Sequence, residues 1–341
     1  MNLGYVAAAA VIITLVLVGA YTLLWHGSGA GAHAQNGTKY RQLFCLDASN
    51  NASAMRMAIS NGITCFRTDI SLNQGEMNFV SNVTKGGGHY LGILDYDTVG
   101  ASVPCQAGCA WNLTTWNESV RRAIADYPEI QTWEVYNEPL IPEFMGGYDN
   151  GSALDYFNMV KSAYIIIKAR EPNATVVCFG GAQMFPISTV QKEYAFYQQV
   201  WSYGAAQYCD AISLHAYSDP FWNFTQQPYQ GYTLAWVYNY TLGAYENLTG
   251  KPVWITETGI TSNDWFPGLN YSAQKQASYL TQDMGLLASH SFVKRVYWFH
   301  LVGLNGKGGD YGLLNSTTLA PKPAWYSFLH FVDNSTGKNV T

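Results

Sequence analysis

Charged residues are scarce in this chain. Aspartate, glutamate, lysine and arginine together make up 12% of its 341 residues, which is about half the usual share. The 18 lysines and arginines are outnumbered by 23 acidic residues, so the net charge is −5, and no run of basic residues occurs. Because a nucleic-acid surface needs clustered cations, we expect no nucleic-acid partner.

The sequence also lacks the common motifs of cofactor- and metal-dependent proteins. No GxGxxG or GxxxxGK[ST] sequence follows a predicted strand, which disfavours a dinucleotide or nucleotide site. Neither a CxxC pair nor an HExxH sequence is present, so a zinc ribbon and a zincin are both unsupported. We therefore expect no cofactor and no catalytic metal.

Apolar and aromatic residues take the place of the missing charge. Hydrophobic residues make up 48% of the chain, which has 25 tyrosines and 11 tryptophans. This content is enough for a sizeable core and excludes a disordered chain. The length suits one α/β barrel or two compact domains. The composition favours an exported protein that holds neutral, ring-shaped ligands.

The N-terminus contains an uncharged, mostly apolar segment from Leu3 to Trp25. As a helix, it would be about as long as the hydrocarbon core of a bilayer is thick, roughly 30 Å. The positive region that starts a secretory signal is absent. Its absence favours the interpretation of residues 1–26 as a membrane anchor. A signal peptide removed near Ala32-His33-Ala34 is the alternative. Residues 27–38 then form a predicted flexible linker, and residues 39–341 form the predicted folded domain, on the cell surface or secreted.

Sequences of the type Asn-x-Ser/Thr are spread along the whole chain and predict a glycosylated, extracellular surface. An asparagine-rich chain that is never modified is the alternative. The fourteen sites begin at Asn36, Asn51, Asn82, Asn112, Asn117, Asn150, Asn173, Asn223, Asn239, Asn247, Asn270, Asn315, Asn334 and Asn339.

Six cysteines are compatible with an oxidising compartment. Cys105 and Cys109 lie in a loop with proline and glycine, where a local disulfide is plausible. The other four cysteines lie in or beside apolar, strand-like runs, an environment that equally suits buried thiols. These four are Cys45, Cys65, Cys178 and Cys209.

Short β-rich runs alternate with longer helical runs along most of the chain. The predicted strands are Tyr40–Asp47, Ile63–Ile70, Tyr90–Asp97, Gln131–Asn137, Thr175–Phe179, Ala211–Tyr217, Pro252–Glu257 and Arg295–Phe299. The predicted helices are Ala52–Ser60, Thr115–Asp126, Ser152–Glu171, Val190–Tyr203, Leu234–Asn247, Ser272–Ala288 and Ala324–Val332. The connection between Ile70 and Tyr90 shows neither pattern clearly. Eight strands with intervening helices favour an α/β fold of the (β/α)8 barrel type over a doubly wound sheet.

Two glutamates follow strands that face each other in such a barrel. Functional side chains of a (β/α)8 barrel lie at the C-terminal ends of its strands. Glu138 follows the predicted fourth strand in the sequence Asn137-Glu138-Pro139, and Glu257 ends the seventh. Strands four and seven face each other across the mouth, so the two carboxylates are expected to converge. Cleavage of a glycosidic bond needs such a pair, one to give a proton and one to attack or to activate water.

This arrangement resembles glycoside hydrolase clan A, the retaining (β/α)8 glycosidases that include cellulase- and mannanase-like families. The resemblance rests on Asn137-Glu138-Pro139 after strand four together with Glu257 at the end of strand seven, and it covers residues 40–332. It implies that Glu138 is the general acid/base and that Glu257 is the nucleophile.

Other positions match the same family pattern and imply a substrate-binding set. Arg67 resembles the strand-two arginine that hydrogen-bonds the nucleophile. His215 and Tyr217 resemble the His-x-Tyr sequence of strand six, and Trp298 resembles the strand-eight tryptophan that forms the floor of the sugar subsite. Asn137 can hold the sugar 2-hydroxyl, a contact that strengthens as the oxocarbenium ion develops.

One departure from the pattern concerns strand three. Many relatives have a histidine at its end, whereas this chain has Leu94-Asp95-Tyr96-Asp97. The predicted function is a monomeric retaining glycoside hydrolase that cleaves β-linked gluco- or manno-configured polysaccharides or oligosaccharides. Two alternatives remain open: a catalytically dead carbohydrate-binding surface protein, and a transglycosylase that uses the same residues.

Overall fold

The computed structural model of the chain describes residues 43–100, 112–141, 153–181, 187–217, 234–263, 271–303 and 309–336. The predicted anchor or signal segment (1–26), the predicted linker (27–38) and the predicted bridge between Cys105 and Cys109 lie outside these residues. Within the described ranges, no helix has both the length and the apolar character that crossing a membrane requires.

Eight parallel strands pair in sequence order and close into a barrel, so the (β/α)8 prediction is confirmed. The strands are β1 (Phe44–Asp47), β2 (Cys65–Asp69), β3 (His89–Leu94), β4 (Thr132–Val135), β5 (Thr175–Gly181), β6 (Ala211–His215), β7 (Val253–Thr258) and β8 (Val293–Trp298). Closure occurs where β8 pairs in parallel with β1, with Cys45 opposite Tyr297. Strands four and seven are therefore three positions apart around the barrel, near enough to opposite for residues at their C-terminal ends to meet across the mouth.

Helices connect the strands. They are α1 (Ala52–Ser60), α2 (Gln74–Lys85), α3 (Tyr96–Val99), α4 (Leu113–Asp126), α5 (Ala153–Arg170), α6 (Ile187–Ser202), α7 (Leu234–Thr249), α8 (Ala273–Ser289) and α9 (Pro323–Thr336). Helix α2 lies in the connection that has no clear pattern in the sequence. Asn51, Asn73, Asn112 and Ser272 cap helices, because their side-chain oxygens accept backbone N–H groups of the first turn.

The pleat of the strands separates two apolar layers. Successive strand residues point to opposite faces, so one set faces the helices and the other faces the barrel interior. The large outer cluster includes Phe66, Trp133 and Trp298, all fully buried. The inner cluster consists of Cys45, Cys65, Leu91, Val177, Ala211, Trp254 and Tyr297. Residues two positions further along β1 and β2, Asp47 and Arg67, therefore also point inward, nearer the C-terminal mouth.

Two disulfides connect cysteines that the sequence left as possible thiols. Cys45 of β1 pairs with Cys65 of β2, 20 residues away. Cys178 of β5 pairs with Cys209, 31 residues away and just before β6. These four cysteines are therefore bonded, and each bond connects elements that are neighbours in the barrel.

Candidate active site

Glu138 and Glu257 converge at the C-terminal mouth of the barrel. One carboxylate oxygen of each, together with a ring nitrogen of His215, lies within 4.8 Å of the others. Glu138 is half-buried, whereas Glu257 is only 8% exposed. The structure thus brings together the two side chains that the sequence analysis selected from the ends of opposite strands.

The backbone after β4 turns sharply to present Glu138. Tyr136 and Glu138 have φ angles of 71° and 47°, in the left-handed region that residues with a side chain rarely adopt. The Glu138 N–H donates to the carbonyl oxygen of Gly180 at 3.1 Å. A Cβ atom on Gly180 would lie 2.6 Å from the carbonyl oxygen of Tyr136. The end of β5 therefore needs a glycine to let this turn approach so closely.

Arg67 connects both halves of the site. Its Nη1 donates to Oε1 of Glu257 at 2.5 Å, and its Nη2 donates to Oδ1 of Asn137 at 2.8 Å. Its Nε donates to Oε2 of Glu134 at 2.6 Å, and Asp47 Oδ1 lies 3.3 Å from Nη1. Because the guanidinium is planar and rigid, these contacts fix the position of Glu257 relative to Asn137.

His215 lies between the two catalytic candidates. Its Nδ1 is 2.7 Å from Oε1 of Glu138, and its Nε2 is 3.7 Å from Oε1 of Glu257. Burial alone would lower the pKa of His215, but the negative charge of Glu257 and the hydrogen bond and charge of Glu138 outweigh it and raise the pKa to about 9. The ring is therefore an imidazolium at neutral pH.

Glu257 is held in its ionised form. Burial alone would raise its pKa, but the positive charges of His215 and Arg67 outweigh that effect and lower it. Tyr217 adds to this, because its hydroxyl donates to Oε2 of Glu257 at 2.6 Å. A buried, ionised carboxylate that accepts hydrogen bonds from Arg67 and Tyr217, beside a second carboxyl group, is suited to acetal cleavage.

Comparison with known proteins points to the same chemistry. Residues 187–326 match the family model described as the glycosyl hydrolase catalytic core, a stretch that includes His215, Tyr217 and Glu257. The matched residues make up less than half of the chain. The match confirms the predicted enzyme class and the resemblance to clan A. No curated protein sequence matches the chain.

Solved structures of other glycoside hydrolases have a similar fold. A family 39 glycoside hydrolase from the gut symbiont Bacteroides cellulosilyticus WH2 is 19% identical, with a TM-score of 0.63 over 89% of this chain and 66% of that one. A family 128 endo-β-1,3-glucanase from Amycolatopsis mediterranei, bound to laminaritriose, is 18% identical, with a TM-score of 0.54 over 85% and 99%. A fungal β-1,4-galactanase is 15% identical, with a TM-score of 0.64 over 85% and 99%. At these identities the similarity shows the shared barrel fold.

The position of Trp298 does not agree with its predicted place in the substrate-binding set. The side chain is fully buried, and its ring lies 6.4 Å from the ring of Tyr279 in α8. Its Nε1 donates to the carbonyl oxygen of Tyr311 at 3.3 Å. Since the preceding Tyr297 points into the barrel, the alternation of the strand directs Trp298 outward to the helices. It cannot form the floor of a sugar subsite.

Phe299 is the aromatic residue that β8 directs towards the site. It is half-buried, and its ring lies 6.3 Å from that of Tyr217 and 5.7 Å from that of Tyr311. Phe299 is absent from the predicted substrate-binding set because the family pattern points to Trp298 instead. The signal was available, since Phe299 is two residues after the inward-facing Tyr297 and so shares its side of the strand.

Asp47 and Glu134 complete the buried charge network below the site of this glycoside hydrolase. Glu134 is fully buried and Asp47 is 7% exposed. Burial raises the pKa of Asp47 well above its ordinary value, although the adjacent Arg67 opposes this effect. Glu134, four residues before Glu138 in the sequence, accepts a hydrogen bond from Nε of Arg67.

Proposed function

We propose that the chain is a retaining β-glycoside hydrolase in which Glu257 is the nucleophile and Glu138 is the general acid/base. The proposal rests on the approach of their carboxylate oxygens to within 4.8 Å of each other. Retaining glycosidases hold the two carboxyl groups about 5–5.5 Å apart, whereas inverting enzymes leave roughly 6.5–9.5 Å for a water molecule. The approach of the nearest oxygens to within 4.8 Å supports the shorter, retaining separation, at which one carboxylate attacks directly.

In the first step, a carboxylate oxygen of Glu257 attacks the anomeric carbon and forms a glycosyl ester. The bond from that carbon to the leaving oxygen breaks, and the protonated carboxyl of Glu138 gives its proton to the leaving oxygen. Arg67 and Tyr217 support this step because they keep Glu257 ionised and correctly directed. The amide oxygen of Asn137 accepts from Arg67, which leaves its NH2 group to donate to the sugar 2-hydroxyl.

In the second step, the carboxylate of Glu138 takes a proton from water, and the water oxygen attacks the anomeric carbon. The ester bond breaks, Glu257 leaves as a carboxylate, and two inversions give net retention. The charge of Glu257 is absent in the intermediate. His215, 2.7 Å from Glu138, then remains as the cation that stabilises the ionised acid/base.

The proposed substrate is a β-linked polysaccharide or an oligosaccharide derived from it, of gluco- or manno-configuration. Two similar structures are named as enzymes for β-1,3-glucan and β-1,4-galactan, which supports a β-linked polymer. The half-buried ring of Phe299 and the amide of Asn137 supply the apolar and the polar contact that a sugar ring offers. No cofactor or metal enters the reaction.

We also propose that the enzyme acts outside the cell as a monomer, either secreted or held at the surface by residues 1–26. The disulfides Cys45–Cys65 and Cys178–Cys209 support an oxidising compartment. The asparagine sites that begin in exposed positions, such as Asn51 and Asn173, support the same location.

The proposal is tested by turnover on a panel of glucan, mannan, xylan, galactan and aryl β-glycosides, with product sizing. The wild type is compared with Glu257→Gln and with Glu118→Gln, a control in which an exposed glutamate of α4 is changed. We expect the first variant to lose cleavage while it still binds substrate, and the control to keep it. NMR of the first product should show the β-anomer. Equal turnover by Glu257→Gln, or initial release of the α-anomer, would contradict the mechanism.

A further inference from the structure

Three aspartates converge at the same end of the barrel, beside the catalytic pair. Asp69 ends β2, Asp95 follows β3, and Asp97 belongs to the short helix α3. One carboxylate oxygen of each lies within 4.8 Å of the others. Two ligands of one calcium ion, each bonded at about 2.4 Å, lie at most about 4.8 Å apart. The three oxygens can therefore contact one ion at the same time.

Asp95 has a buried oxygen without a hydrogen-bond partner. The residue is fully buried, and its Oδ1 accepts the backbone N–H of Asp97 at 2.9 Å. Its Oδ2 is buried and accepts no hydrogen bond from the part of the chain that the structure describes. A buried carboxylate oxygen that lacks a partner is costly, because it has lost its water without replacement. This oxygen needs a partner that the described side chains do not supply.

Among the described residues the cluster forms no direct ion pair, and the charge of Arg67 acts on Asp69 and Asp95 only from a greater distance. In the described ranges, no lysine, arginine or histidine nitrogen lies within 4.0 Å of Asp69, Asp95 or Asp97. Asp95 is fully buried, whereas Asp69 is exposed, so water screens the repulsion among the three carboxylates only in part. A cation bound between the three carboxylates would reduce their repulsion. It would also give the unpartnered oxygen of Asp95 a partner.

We propose that Asp69, Asp95 and Asp97 form a binding site for a divalent cation of the calcium type. Calcium takes six to eight oxygen ligands in flexible geometry, and a set of carboxylates completed by water suits it better than the strict octahedron of magnesium. The site takes no part in the bond cleavage of the proposed function. Tyr96, between two of the ligands, lies within electrostatic reach of Glu138. A bound ion would therefore fix the β3–α3 connection beside the acid/base.

The test measures cation binding on the whole folded protein after treatment with EDTA. Calcium is titrated by calorimetry, and terbium is titrated by luminescence excited through Tyr96 and neighbouring aromatic residues. The variants are Asp95→Asn, whose amide oxygen can still accept the Asp97 N–H, and the less buried Asp97→Asn. We expect one saturable site in the wild type, a rise in Tm on adding calcium, and binding at least about tenfold weaker in both variants. Asp126→Asn, a change in the exposed pair with Arg122, should bind as the wild type does.

Three results would overturn the proposal: no saturable binding to the wild type, binding that persists in both variants, or binding that is lost in Glu138→Gln. The last would assign the ion to the cluster of Glu138, His215 and Glu257, whose atoms are equally close. Because the readout is cation binding and Tm, it stands apart from the glycosidase proposal. A protein that binds calcium but cleaves no glycoside would support the cation site and contradict the proposed function. A protein that cleaves glycosides but binds no calcium would do the reverse.

Discussion

Nδ1 of His215 lies 2.7 Å from Oε1 of Glu138, and the same ring places Nε2 3.7 Å from Oε1 of Glu257. A single buried cation therefore interacts with both catalytic candidates. In the proposed mechanism it stabilises the nucleophile carboxylate of the free enzyme and the base of the glycosyl intermediate. The histidine is thus coupled electrostatically to both carboxyl groups.

This coupling predicts a loss of stability at alkaline pH. The pKa of His215 is raised from 6.5 to about 9 in the folded protein, so its contribution is complete below pH 6.5 and is lost as the pH rises through about 9. The free energy of unfolding should fall by a few kcal/mol over this window, on the order expected from the shift. In His215→Gln this fall should be absent, whereas His330→Gln, a change at an exposed position, should keep it. Urea unfolding between pH 6 and 10 measures the effect, and parallel curves for all three proteins would contradict it.

Tyr217→Phe removes the hydroxyl that donates to Oε2 of Glu257 at 2.6 Å. A hydrogen bond to a charged group contributes roughly 1.5–3 kcal/mol, so we expect kcat/KM to fall about 10- to 100-fold. The acidic limb of the kcat/KM profile should also move to higher pH, because the hydroxyl no longer helps to keep Glu257 ionised. Tyr326→Phe, at a position that is 63% exposed, is the control. A variant with wild-type kcat/KM and an unmoved acidic limb would exclude this role.

Gly180→Ala tests the turn that presents Glu138. The new Cβ would lie 2.6 Å from the carbonyl oxygen of Tyr136, at a φ of 63°. Gly250→Ala is a matched control, because its φ is 60° but nothing lies within 4 Å of the Cβ. Both variants carry the left-handed strain of about 1 kcal/mol. We expect only Gly180→Ala to lose kcat by at least about tenfold through misplacement of the acid/base. Equal kcat values for the two variants would show that the close approach is unimportant for catalysis.

Much of the barrel was predictable because its signals are local. Each strand is a short β-rich run covered on both sides, and the predicted bounds differ from the observed ones by a few residues at each end. Glu138 and Glu257 could be selected because a barrel places its chemistry at strand ends and brings opposite strands together.

The remaining features depend on contacts that no local pattern contains. The pairing of Cys45 with Cys65 follows from the adjacency and register of β1 and β2, whereas the apolar surroundings of each cysteine equally suit a free thiol. The family pattern suggested Trp298. Because its neighbour Tyr297 points into the barrel, Trp298 points outward, and Phe299 is the aromatic residue of this strand end that lies at the site. Arg67 makes four contacts, with residues of β1, β4 and β7 and of the turn after β4. The spacing of these residues in the sequence does not predict which of them it contacts.

The double variant Cys45→Ala/Cys65→Ala tests the contribution of the disulfide between β1 and β2. A bond that closes a loop of 20 residues restricts the unfolded chain, and the chain-entropy relation gives about 3 kcal/mol. We expect the free energy of unfolding in urea to fall by that order, with the m-value raised because the unfolded state becomes less compact. Reduction of the disulfides in the wild type should also lower the free energy of unfolding. An unchanged transition midpoint under both treatments would show that the bond does not contribute to stability.

Asp283 of α8 provides a stability prediction at acidic pH. The residue is fully buried, and its carboxylate accepts hydrogen bonds from Tyr238 and from Oγ1 of Thr258, the latter at 2.8 Å. Burial outweighs these bonds and raises its pKa from 3.8 to about 7. Between these pH values the folded protein keeps a proton that the unfolded chain has lost, so this group makes the free energy of unfolding fall as pH rises from about 4 to 7.

Asp283→Asn replaces the carboxyl group with an amide of the same shape, which has no charge to bury. It should therefore flatten the stability profile between pH 4 and 7, and its largest gain over the wild type, on the order of a few kcal/mol, should appear above pH 7. Asp126→Asn, which changes a surface carboxylate paired with Arg122, should retain the wild-type slope. Urea unfolding at several pH values measures both slopes. If Asp283→Asn follows the wild-type slope, the carboxyl does not titrate in this window, and the acid dependence must come from other groups.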